Sequence, residues 1–155
     1  MRARLSVLLV IVVALSGCSG GGSASAPDAD GRAVERAAGA ALRRAQMQSG
    51  TSWADGVLAS FCSEGRCTRD EDAQPRRTLL AAGSGLLMFI VPQRPVSSSV
   101  VISRKRGRPV LQEPLPPGTT MPVRASLRSG TYLVALNARW DSHEARWLFG
   151  LRVGA

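Results

Sequence analysis

The sequence predicts an all-β domain, an antiparallel β-sandwich of seven to eight strands, behind a flexible N-terminal tether. Three observations point there. From residue 76 onward, short apolar runs alternate with turns rich in Gly, Pro, Ser and Asp. The last two runs are the most regular and show period-two alternation, the signature of strands. Ahead of them, residues 19–30 (SGGGSASAPDAD) are too poor in apolar side chains to offset the entropy of ordering.

Composition bounds the rest. A chain of 155 residues with 45% hydrophobic content can bury one core, which excludes wholesale disorder. The formal charge is +9, and Lys105 is the only lysine among its cations. Such a charge favours anionic partners and says nothing about fold.

At the N-terminus, Met1 to Arg4 carry two positive charges and Leu5 to Ser16 form an apolar run. Twelve residues would span about 18 Å as a helix, short of the roughly 30 Å hydrocarbon core of a bilayer. A cleaved export signal over residues 1–17 fits better than a membrane span. Leu15-Ser16-Gly17-Cys18 resembles a bacterial lipobox. That resemblance implies that Cys18 carries a thioether-linked diacylglycerol, becomes the new N-terminus and holds the protein at the extracytoplasmic face of the cell membrane. Two acyl chains anchor stably where one does not. Loss of Arg2 and Arg4 with the signal would lower the charge from +9 to +7.

Residues 18–50 are expected to form the tether. Within them, Gly31 to Gln48 reads either as a marginal helix, with Asp30 as its cap, or as further linker. Its apolar face is mostly alanine, and Gly39 weakens its centre. About 30 residues of coil would span about 30 Å and hold a domain off the membrane.

The folded domain is expected over residues 51–155. Trp53 to Cys62 reads as its first strand, followed by a four-residue turn, Ser63 to Arg66, and Cys67. With Cys18 lipidated, two cysteines remain in an oxidising compartment, which favours a Cys62–Cys67 disulfide. Flanking residues of a hairpin loop lie within bridging distance. A redox pair or metal ligands are the competing readings, and no further cysteine supports them.

The next runs are Arg77 to Ala82, Gly85 to Val91, Ser97 to Ser103, Arg108 to Gln112 and Met121 to Leu127, where Pro122 suggests a strand start or an edge. Thr131 to Trp140 and Arg146 to Val153 close the chain as a hairpin around a polar loop, Asp141 to Glu144. Tyr132, just inside the first of these after a Gly turn, resembles the tyrosine corner of immunoglobulin-like sandwiches. An ordinary core tyrosine is the alternative. The Cys…Trp…Cys spacing of antibody domains is absent, so only the wider immunoglobulin-like class is implied.

The lipobox, the tether, the C-x4-C strand end, Leu115-Pro116-Pro117-Gly118 and the closing Gly-Thr-Tyr…Phe-Gly-Leu-Arg-Val hairpin together resemble a loose group of small bacterial surface lipoproteins. No activity follows from that resemblance.

Arg104-Lys105-Arg106-Gly107-Arg108-Pro109 resembles an AT-hook, in which Arg-Gly-Arg lies in a narrow minor groove. An exported protein meets no chromosome, so nucleic acid is not expected as a partner. The same charges could rest on anionic lipid or wall polymer, or simply solvate a turn. Asp70-Glu71-Asp72 lacks the Gly and terminal Glu of a calcium loop. Asp141, Ser142 and His143 have the composition of a catalytic triad, but consecutive side chains are not expected to converge as a relay. The expectation is therefore a non-enzymatic binding, adhesion or envelope-assembly module with no cofactor and no metal. The alternative is a small enzyme or metal-handling protein using His143, the only histidine, and nearby acids.

Overall fold

A computed structural model describes residues 39, 42, 44–75, 77–80 and 85–154 apart from 105 and 106, with residues 77–80 described by backbone alone. Cys18, the signal segment and the tether up to residue 38 lie outside the described residues, as do Lys105 and Arg106.

The protein is an all-β, two-sheet sandwich. The strands in chain order are β1 Gln46–Ser49, β2 Ser52–Asp55, β3 Val57–Ser63, β4 Arg66–Arg69, β5 Arg77–Leu80, β6 Leu86–Ile90, β7 Ser97–Arg104, β8 Pro109–Pro114, β9 Thr120–Arg124, β10 Gly130–Arg139 and β11 His143–Val153. The smaller sheet runs β2-β1-β6-β9, and the larger runs β4-β3-β11-β10-β7-β8. Pairing is antiparallel except for β5, which lies parallel to the second half of β11.

Two boundaries differ from the sequence expectation. The sheet domain begins before residue 51. Leu42, Ala45 and Met47 are buried, and Gln46–Ser49 forms β1, paired with both β2 and β6. The end of the presumed helix or linker is thus a strand. Its alternation, Ala45, Met47 and Ser49 inward, spans too few residues to stand out beside an alanine-rich run; pairing on both edges decides its conformation.

The expected strand Trp53 to Cys62 is two strands, one in each sheet. The chain changes sheets at Gly56, whose N–H donates to the Ala45 carbonyl at 2.8 Å. A Cβ at this position would lie 2.6 Å from Phe149 Cζ, so the closeness of the two sheets requires glycine. Eleven strands rather than seven or eight result among the described residues, because β1 and β4 add to the expected set and this segment divides.

The β10–β11 hairpin is the spine of the larger sheet, in continuous register from Gly130↔Val153 to Arg139↔Glu144. Tyr132, Val134, Leu136 and Ala138 face inward, as do Ala145, Trp147, Phe149 and Leu151. Against them the smaller sheet packs Met47, Phe89, Met121 and Val123, and Phe89 meets Phe149 edge-to-face at 5.9 Å. The Ser98 hydroxyl donates to Met121 Sδ at 3.0 Å and so joins the two layers.

The Tyr132 hydroxyl donates to the Arg128 carbonyl at 2.6 Å. Gly130 between them has φ 149°, a conformation that favours glycine. This is the tyrosine corner that the sequence suggested. β9, which carries Pro122, is the edge of the smaller sheet, where a residue without N–H is tolerated.

Candidate functional site

The inward face of the larger sheet is apolar, so any site on that sheet belongs to its outward face or its ends. Period two dictates which residues face out. With Leu136 and Ala138 buried, Asn137 and Arg139 point outward from β10; with Ala145 and Trp147 buried, Glu144 and Arg146 point outward from β11. On β7 the same alternation puts Ser97 and Ser99 outward.

β3 joins them through an irregularity. Arg146 pairs with Ser60 but Trp147 pairs with Leu58, leaving Ala59 as an extra residue opposite the break. This bulge resets the phase of β3, so that Leu58 faces the core while Ser60 and Cys62 face outward.

The registers then assemble two rows across four strands. One is Ser60–Arg146–Asn137–Ser99 and the other Cys62–Glu144–Arg139–Ser97. Between them lies an open groove of about 330 Å³. Arg139 Nε donates to Ser97 Oγ at 3.3 Å, and Asn137 Nδ2 to Ser99 Oγ at 3.5 Å. Arg69 on β4 extends the first row beyond Ser60. Three arginines therefore border a strip of hydroxyl and amide groups, with Glu144 as the acid within the two rows.

The disulfide braces one edge of this groove. Cys62 and Cys67 are directly paired and bonded, with Cα atoms 4.0 Å apart. The turn beyond them is tighter than the expected four residues. Ser63 pairs with Arg66, leaving Glu64 and Gly65 with φ 51° and 75°. Positive φ at both central positions is the signature of a type I′ hairpin turn, whose twist matches that of the strands.

A second cavity of about 400 Å³ shares Cys62, Arg139 and Glu144 with the groove and continues to Trp140, Asp141, Ser142 and His143. The Trp140 N–H donates to the His143 carbonyl at 2.8 Å, so the loop shrinks to Asp141 and Ser142, and His143 belongs to β11. The imidazole stacks on Trp140 at 4.7 Å and lies 5.9 Å from Phe61. Two members of the would-be triad do meet, without forming the relay: Ser142 Oγ is 3.1 Å from His143 Nδ1. The other nitrogen, Nε2, is buried and unpaired, as are Nε1 of Trp140 and of Trp147. A relay needs a carboxylate on that second nitrogen, and none bonds it. Among the described residues, no group of three His, Cys, Asp or Glu side chains could hold a metal ion.

The basic turn lies elsewhere. Arg104 ends β7 opposite Tyr132, at the other end of the sheet from Ser97 and Arg139. The Gly107 N–H donates to the Arg104 carbonyl at 2.9 Å, closing the turn, and both Arg104 and Arg108 are exposed. Arg104 also borders a smaller groove of about 260 Å³ with Arg128, floored by Val110, Leu111 and Leu127. The predicted anion-contacting run and the outer-face groove are separate features.

The sequence reading missed Ser60, Ser97, Ser99, Asn137, Arg139 and Arg146. Alternation marks most of them as outward, but only the strand register shows that they adjoin. Compared with known protein families, with curated proteins and with solved structures, the chain matches none significantly.

Proposed function

We propose that this protein is a lipid-anchored, extracytoplasmic binding module whose outer-face groove takes an anionic, hydroxyl-rich polymer of the cell envelope. The observation that carries the reading is the pair of rows across β3, β11, β10 and β7. Ser60, Ser99 and Asn137 both donate and accept hydrogen bonds, which suits sugar or polyol hydroxyls. Arg139, Arg146 and Arg69 offer planar forks that match phosphate or carboxylate groups. An open groove suits a chain that runs on beyond it better than a small molecule that must be enclosed. The buried Nε2 of His143 argues against catalysis at the adjoining cavity. Anchoring rests on Leu15 to Cys18, and the basic turn, Arg104 to Arg108, is a second contact for anionic surfaces at the far end of the domain.

The anchor is tested by labelled palmitate, which the parent chain should incorporate and the Cys18→Ala chain should not. Equal labelling of both would remove it. The groove is tested by titrating residues 19–155 with a polyol-phosphate polymer. Arg139→Ser and Arg146→Ser should each weaken binding about tenfold, the loss of one charge-assisted hydrogen bond. Undiminished affinity in the double variant would discard the groove as the site.

A further inference from the structure

The outward face of the smaller sheet is a different kind of surface. Its central row is Trp53–Gln48–Met88–Pro122, and toward one end Leu86 stands beside Arg124. Trp53 is 62% exposed and Leu86 39% exposed, two of the four large apolar side chains left most open to solvent among the described residues. The amide of Gln48 does not interrupt the row, because its Nε2 turns back to donate to the Gly50 carbonyl at 3.1 Å.

We propose that this face docks on the anionic bilayer in which the chain's own lipid would sit. The proposal rests on the lipid-anchor reading for its orientation, and on three features of the fold. The first is chemistry: an exposed indole on an edge strand, with Met88 and Leu86 on the same face two strands away, suits the headgroup–acyl boundary, where an apolar body and a polar N–H are both satisfied. The second is charge. Arg124 closes the Leu86 end of the face, and the chain runs on from it to Arg128, which shares a groove with Arg104. The acid on the face, Asp55, stands at the opposite end and is hydrogen-bonded by Gln46 Nε2 at 3.0 Å. The third is connection: β1, the first described strand after Cys18, lies in this sheet, and its Gln48 pairs with Trp53.

On the tether reading, a span of about 30 Å would set a maximal reach rather than the fixed standoff that the sequence suggests. It holds the domain at high local concentration beside the bilayer, so a modest apolar face suffices. The groove on the larger sheet would then point away from the membrane, toward the polymer it binds.

Tryptophan emission tests this directly. Trp140 is 9% exposed and Trp147 fully buried, so Trp53 is the indole able to respond to lipid. Residues 19–155, which hold every described strand and no lipid, are mixed with vesicles of zwitterionic lipid containing about 30% anionic lipid. The proposal expects cosedimentation, a blue shift and quenching by bromine-labelled acyl chains. The Trp53→Phe chain should lose the shift while still sedimenting. Trp53→Ser with Leu86→Ser should cut vesicle binding about tenfold. Sedimentation without quenching of Trp53 would mean that charge alone binds and would overturn the proposal, as would equal binding by the double serine variant or no binding at all. Palmitate labelling is read separately, so failure of the anchor and failure of the docking face are distinguishable.

Discussion

Gly56→Ala probes how tightly the two sheets are pressed together. The added methyl would lie 2.6 Å from Phe149 Cζ, 2.8 Å from its Cε1 and 3.0 Å from Trp147 Cβ. Carbon atoms rest at about 3.5–4.0 Å, so the ring would have to retreat by about 1 Å. It has nowhere to go, since Phe149 and Trp147 are both fully buried and Phe89 braces Phe149 edge-on. Overpacking of this kind costs about 1–3 kcal/mol, and the absence of slack puts Gly56→Ala at about 2 kcal/mol or more. Urea unfolding should show the midpoint falling with an unchanged slope. Phe149→Leu removes the two nearest ring atoms. Combined with Gly56→Ala, it should cost less than the sum of the two single changes by about 1 kcal/mol. A Gly56→Ala protein within about 0.5 kcal/mol of the parent, or strict additivity in the double variant, would refute the claim that the sheets meet at this point without slack.

Two further changes test local geometry by the same unfolding assay. Tyr132→Phe removes the hydroxyl bonded to the Arg128 carbonyl and keeps the ring, so it should destabilise by about 1 kcal/mol; no change would mean that the corner is not energetically coupled to the fold. Glu64 sits at φ 51°, costly for a residue with a Cβ, and Glu64→Asn restores the Asn-Gly pair preferred in a type I′ turn. It should stabilise by about 0.5–1 kcal/mol, and a loss of stability would refute the turn assignment.

Much of the sheet architecture was legible because it is written locally. Thr131 to Trp140 and Arg146 to Val153 show the period-two pattern of strands, and they correspond to β10 and most of β11. Ser129-Gly130-Thr131-Tyr132 identified a corner whose hydroxyl bond is local, reaching back four residues. What was not legible depends on partners distant in the chain. Gln46–Ser49 is a strand because β2 and β6 flank it, and nothing in GRAVERAAGAALRRAQMQ announces β6. Gly56 resembles any strand glycine until Phe149 is placed against it, 93 residues later in the chain.

The outer-face groove shows the same limit more sharply. Its residues come from β3, β7, β10 and β11, and Ser60 and Ser97 belong to strands parted in the chain by β4, β5 and β6. Even perfect knowledge of which residues are strands would have misplaced Ser60. Strict alternation from Leu58 points Ser60 into the core, and only the extra residue at Ala59 turns it out toward Arg146. The charges of the run Arg104 to Arg108 are contiguous in sequence, and of its described residues Arg104 ends β7 and accepts a hydrogen bond from the Gly107 N–H. Arg69, Arg139 and Arg146 are scattered in sequence and gathered by register onto neighbouring strands of one face. For a sheet protein, a run of like charge marks a loop, whereas a binding face is assembled by cross-strand pairing. The groove therefore carries the functional proposal, and the basic turn supplements it.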